Sequence, residues 1–240
     1  MRIFLFGLLL SVMSACAWAQ IEVPQIGIML DVNGRARPVS GAPAAAVVGT
    51  PWFDGTVISL ACSAEGCVAK TESAVFTPAG VVVDAPPGAA IIALDASSPG
   101  AAYVYFVESG TLARWTGSQL VAMNFAPEGD VLSLRAVAGG FEYAAERDGE
   151  VWIGSKSLGA ANSVLLLDGG GMLLASGGQV RLLRADGTEL DFAVTGGSDF
   201  VGGFIRMSDR YVQVITDAGM WALDTEPGHE QIFLLPGVSD

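Results

Sequence analysis

A strand-and-turn pattern recurs along this chain and limits what it can fold into. Aligned on the turn before one β-type run, the segments ESGTLARW (108–115), RDGEVWIG (147–154), SGGQVRLL (176–183) and DAGMWALD (217–224) fall into register, with a Gly at 110, 149, 178 and 219. The spacing of those glycines averages about 36 residues, close to the roughly 40-residue blade of a β-propeller. The clearest unit, 89–126, holds four runs rich in β-branched, aromatic and aliphatic residues: 90–95, 102–107, 111–115 and 119–125. Turn formers separate them (SSPG, ESG, TGS), so the unit reads as a four-stranded antiparallel meander. Trp115, Trp152 and Trp221 fall in or just after the same run of their units. Large aromatics at that position are expected to pack between neighbouring sheets.

The rest of the chain supplies a first, less regular unit at 50–88 and later units at 130–162, 163–196 and 197–237. Ahead of them, 27–31 and 35–39 read as a strand pair around Val32-Asn33-Gly34. The expected fold is therefore all-β: a propeller of four-stranded antiparallel blades, five or six in number, with the N-terminal strand pair closing the ring so that no sheet edge stays open. Long helices are not expected, because no apolar period of helical spacing outside the leader lasts more than about three turns and Gly, 31 in the full chain, breaks every candidate. With 51% hydrophobic residues and no low-complexity stretch, residues 20–240 are expected to form one domain.

Residues 1–19 start with a basic Arg2, continue through the apolar run Ile3–Val12 and end in Ala17-Trp18-Ala19, the pattern of a secretory signal peptide cleaved before Gln20. The apolar run falls short of the roughly 20 residues that cross a bilayer, so no transmembrane segment is expected after signal removal. Met13-Ser14-Ala15-Cys16 offers a competing lipobox reading, with a lipidated Cys16 anchoring the protein. Cys62 and Cys67, flanking Ser63-Ala64-Glu65-Gly66, then remain for one disulfide across a hairpin in an oxidising compartment. Metal binding is the rival use of the two thiols, with no nearby His or second CxxC to support it. The chain carries a net charge of −13, which loss of the leader and its Arg2 makes more negative. Nucleic acid and anionic lipid surfaces should repel it.

Few residues suggest chemistry. Asp95 and Asp168 each end the first run of a unit (IIALD, VLLLD), and Asp31 and Asp84 end others. Carboxylates converging on a propeller channel could serve as the acid and base or nucleophile of a glycosidase, whereas an Asp before a Gly/Ser-rich turn ordinarily caps that turn. His229, the only histidine, lies in EPGHEQ, and no GxSxG supplies a nucleophile for it. Asp168-Gly169-Gly170-Gly171 lacks the Lys-Ser/Thr of a P-loop and Asp186-Gly187 lacks EF-hand spacing, so both read as hairpin turns, with a turn-bound Ca2+ left open.

The third-strand motifs GTLARW and GEVW, the leader, and IMLD (28–31) followed by RPV (37–39) resemble exported bacterial β-propeller proteins of the NHL, YVTN or BamB-like kind, over most of 25–237. The resemblance implies a propeller that presents a face to a protein or polymer, an analogy of fold. Related quinone enzymes carry tryptophan-docking repeats and vicinal cysteines that have no counterpart here, so no cofactor is expected. The leading expectation is a non-enzymatic, exported module, periplasmic or secreted, that binds a protein or polysaccharide in the cell envelope. Alternatives are a propeller glycoside hydrolase using Asp95 and Asp168, and an envelope scaffold tethered through Cys16.

Overall fold

The computed structural model of the protein describes residues 23–194 and 203–237. The leader, Cys16 and the start of the last unit lie outside the described residues. Strands alternate with short turns, and among the described residues the helical content is two 3-10 turns, Pro43–Ala45 and Asp168–Gly170.

Strands β1 (Gln25–Leu30), β2 (Ala36–Ser40) and β3 (Val47–Val48) form a three-stranded antiparallel sheet. Three consecutive four-stranded meanders occupy the middle of the chain. They comprise β8 (Ala90–Leu94), β9 (Ala102–Phe106), β10 (Thr111–Trp115) and β11 (Leu120–Met123); β12 (Asp130–Val137), β13 (Gly140–Arg147), β14 (Glu150–Ile153) and β15 (Lys156–Gly159); and β16 (Ser163–Leu166), β17 (Met172–Ser176), β18 (Gln179–Leu183) and β19 (Glu189–Ala193). The meander β4 (Ser59–Ser63), β5 (Gly66–Lys70), β6 (Ala74–Phe76) and β7 (Val82–Asp84) is joined to β20 (Gly203–Arg206), β21 (Tyr211–Thr216), β22 (Gly219–Asp224) and β23 (Gln231–Leu234). The join is a parallel bridge at Arg206 and Ala61, which makes one eight-stranded sheet.

Two expectations are corrected by this topology. The sheets number four of four or more strands, not five or six blades, because β4 and β20 bring unpaired inner edges together and pair across the seam. The N-terminal strands complete no other blade either. The last unit already holds four strands of its own, and β2 recruits Val47–Val48, hidden in a small-residue run, as its third strand.

The strand that begins each meander lies innermost, and β4, β8, β12, β16 and β20 touch in a closed cycle. Apolar side chains of successive sheets fill the space between them. Trp115 and Val104 pack with Val68 and Val75, while Leu173 and Leu182 pack with Val212 and Leu223. The three-stranded sheet wedges against the seam: Ile26 and Met29 meet Met207, Tyr211 and Ala222, and Leu30 meets Leu60 and Cys62. Gly27 is required there, since a Cβ would lie 2.4 Å from the carbonyl oxygen of Met207. The Ile28 N–H donates to that same carbonyl at 3.1 Å. Asp148 and Gly149, with φ of 53° and 81°, form the two-residue turn between β13 and β14 that positive φ at both centres permits.

Cys62 and Cys67 face each other directly in the β4–β5 hairpin, with sulfurs 2.07 Å apart, the distance of a disulfide. No helix among the described residues is long and apolar enough to cross a membrane.

Candidate functional site

In a four-stranded antiparallel meander the first and third turns lie at one end and the second at the other. The first turns therefore gather on one face of the ring, and that face carries two of the acids the sequence singles out, Asp95 and Asp168, together with Asp209. Asp95 follows β8, Asp168 follows β16, and Asp209 lies between β20 and β21. All three, with Glu65 at the tip of the Cys62–Cys67 hairpin, line one cavity of about 680 Å3. Its floor is apolar, built from Val68, Leu94 and Ala101, and no basic residue lines it among the described residues.

Each carboxylate arrives by a local device. Asp95 Oδ1 accepts from the Ser97 N–H at 3.0 Å and the Ser97 hydroxyl at 2.5 Å, the turn-capping geometry. Its Oδ2 accepts from Arg114 Nη2 at 2.8 Å, and the Arg114 guanidinium also lies over the Tyr103 ring. Asp168 pairs with Arg206 of the next meander, and Arg206 also donates to the Leu166 carbonyl at 3.1 Å. Asp209 Oδ2 accepts from the Ala64 N–H at 2.9 Å, tying the last meander to the hairpin tip of the first.

A second cavity of about 590 Å3 adjoins the first, for Asp168 and Asp209 line both. It also contains Arg184, Arg206 and Arg210. These cations are engaged: Arg210 grips both oxygens of Asp224, at 2.9 and 2.5 Å, as well as Glu226, and Arg184 pairs with Glu230. The bond with Asp224 raises the Arg210 pKa, against the cost of desolvation. Burial, followed by the negative charge of Asp224, pushes the Tyr211 hydroxyl up. Together the cavities make a concave, mainly acidic surface stiffened by ion pairs.

The remaining nominated residues scatter. Asp31 sits in the turn between β1 and β2, where Arg37 Nε donates to its Oδ2 at 2.6 Å. Burial alone would raise the Asp31 pKa. The bonds from the Arg35 N–H, the Arg37 side chain and the Asn33 N–H, with the Arg37 charge, outweigh that and hold it below the ordinary carboxylate value. Asp84 ends an outermost strand, exposed. His229 is exposed, and its backbone N–H closes a turn on Glu226. Asp186 accepts from the Thr188 N–H at 2.8 Å in a turn. Among the described residues no three His, Cys, Asp or Glu side chains gather as metal ligands.

The sequence reading missed Asp209 and Glu65, although Asp209 occupies the first turn of its unit as Asp95 and Asp168 do in theirs. Aligning the units on the first turn rather than the second would have shown it. The arginine partners lie up to 38 residues away along the chain, and no local pattern announces them.

No protein-family model and no curated protein matches this chain. Solved structures do resemble it. A protein of unknown function from Bacteroides caccae superposes with TM-score 0.52 at 14% identity, over 84% of this chain and 90% of that one. PorZ, an essential surface component of the type IX secretion system of Porphyromonas gingivalis, gives TM-score 0.50 at 14% identity over 91% of this chain, which spans 39% of its length. Virginiamycin B lyase from Staphylococcus aureus gives 0.48 at 8% identity, over 89% and 85% of the two chains. At such identities the likeness is one of fold. Fold and comparison together make the chain an all-β protein of the β-propeller class, with antiparallel blades and almost no helix.

Proposed function

We propose that this protein is an exported, non-enzymatic β-propeller of a single domain over residues 20–240, which binds a protein or polymer partner of the cell envelope on the face of the first turns. The observation that carries the proposal is the state of the two acids a hydrolase would need. Asp95 and Asp168 reach one cavity, yet each is held by an arginine, Arg114 and Arg206 respectively. A glycosidase needs both carboxyls directed at the scissile bond, whereas here a guanidinium occupies an oxygen of each. Paired in this way the acids shape a surface. The adjoining cavities, with exposed Glu65 and Asp209 on the rim, offer a concave patch suited to a macromolecular ligand.

Export is supported by the leader-like sequence of residues 1–19 and by the bonded cysteine pair, a feature of oxidising compartments. Processing before Gln20 is the reading preferred over lipidation at Cys16. N-terminal sequencing of the mature protein distinguishes the two.

The binding face is tested by capture of partners from the envelope fraction with mild crosslinking, comparing wild type with Glu65→Lys/Asp209→Lys and with Asp217→Lys on the opposite face. The expected result is loss of a reproducible partner in the first variant alone. Loss confined to Asp217→Lys, or glycan hydrolysis abolished by Asp95→Asn or Asp168→Asn, would overturn the proposal.

A further inference from the structure

The reading above leaves the centre of the ring unused. A channel of about 880 Å3 runs through it, lined by all five innermost strands, and its size falls within the roughly 300–1,000 Å3 of small-molecule sites. Strands β8, β12 and β16 end their sheets, while β4 and β20 pair at one position, so the inner strands hold to one another by few backbone bonds. Serines span the gaps instead. Ser59 Oγ accepts from the Ala90 N–H at 2.9 Å, and Ser133 Oγ accepts from the Leu166 N–H at 2.9 Å.

Those hydroxyls act as acceptors, and their own protons meet no acceptor among the described residues. Ser133 is 1% exposed, buried in the wall with a donor unused. Ser163, at the next gap beside Gly203, has no hydrogen bond from its hydroxyl among the described residues. A hydroxyl donor that water cannot fully serve favours a ligand bearing an acceptor. The charged groups at the channel's inner end are already neutralised, Asp31 by Arg37 and Arg206 by Asp168. Asp217 stands exposed at the other mouth and repels anions. The rest of the wall is largely aliphatic, with Phe204 its one aromatic side chain among the described residues.

We infer that the central channel is a binding site for an uncharged small molecule with an apolar body and a carbonyl or ether acceptor, which Ser163 would engage. A carboxylate or sulfonate fits poorly, since the channel offers no free cation among the described residues to receive it. This site is separate from the proposed binding face and stands or falls without it.

Nile red, uncharged and carrying one ring carbonyl, is the probe, titrated into the full mature protein and followed by fluorescence, with the anionic dye anilinonaphthalene sulfonate as competitor. The expected result is saturable one-to-one binding of Nile red, weakened about fivefold by Ser163→Ala through loss of a hydrogen bond, and not displaced by the anionic dye. Ala218→Trp, an exposed turn residue at the channel mouth, should weaken binding at least as much without touching the packed sheets, and so keeps the test open if Ser163→Ala misfolds. Non-saturable binding, wild-type affinity in both variants, or equal displacement by the anionic dye would overturn the inference.

Discussion

Trp115, Trp152 and Trp221 occupy one strand of three repeated units, yet their surroundings differ. Trp115 is fully buried between two sheets, Trp221 is half-buried against the β16–β19 meander, and Trp152 lies partly open with Arg147 above its ring, 5.9 Å from the centroid. Trp115→Ala should therefore cost about 3–5 kcal/mol through a cavity in a packed interface. Trp152→Ala should cost about 1 kcal/mol, the scale of an exposed cation–π contact with some lost burial. Denaturant unfolding of the two variants compares them directly, and equal costs would contradict the assigned environments. The repeat made the positions legible, but the neighbours that bury one tryptophan and not another come from distant strands. Asp31 supplies a second residue-level prediction. Its pKa is depressed in the folded state, so its ion pair with Arg37 contributes fully above the unfolded carboxyl value of about 3.9. That contribution disappears as pH falls through the lower folded value. Wild type should therefore lose stability relative to Asp31→Asn below about pH 4, and a difference that stays constant on acidification would refute the assignment.

Two elements are held by contacts beyond the strand ladder. In the β4–β5 hairpin the Cys62–Cys67 pair closes a short loop, and on the chain-entropy account its reduction should cost roughly 2 kcal/mol. The cost should show as a lower unfolding midpoint in reductant, and a Cys62→Ser/Cys67→Ser variant should be insensitive to reductant. The β1–β3 sheet is held differently. Gln213, fully buried in β21, accepts from the Leu30 N–H at 2.9 Å and donates to the Leu30 carbonyl at 2.7 Å, so its amide stands in for a missing strand neighbour. Gln213→Leu leaves both Leu30 groups unsatisfied and should cost about 1–3 kcal/mol. Hydrogen exchange of 25–30 should rise before that of β21 itself, whereas uniform exchange would mean that the sheet is fixed mainly by Met29 and Ile26 packing. Local pattern located most strands to within a residue or two, since alternating runs and Gly turns are local properties. It did not reveal β3, whose Val47-Val48 carries no alternation, or the β4–β20 seam, which joins segments about 140 residues apart by a single bridge. Pairing partners at that separation leave no mark in either strand.

At the scale of the whole molecule, long-range repulsion opposes local attraction. The chain has 25 acidic against 12 basic residues, and most arginines on the first-turn face are already committed to carboxylates there. The surplus of negative charge is thus left to repel itself over the surface, which is why the face reads as acidic although it is rich in arginine. The candidate site was legible to the same extent: the acids at turn positions could be named, but the pairing of Asp95 with Arg114 and of Asp168 with Arg206 depends on arginines placed by the fold. Salt distinguishes the two contributions. Exposed ion pairs are worth about 0–1 kcal/mol each, and those with one buried partner, such as Arg210 with Asp224, are screened little. Repulsion among exposed carboxylates separated by more than the Debye length, about 10 Å at 0.1 M, is almost wholly screened. Raising NaCl from about 10 mM to about 0.2 M at pH 7 should therefore raise the Tm, because more repulsion than attraction is removed. A fall in Tm over that range would show that the ion pairs of the first-turn face, and not the net charge, dominate the electrostatics of the fold.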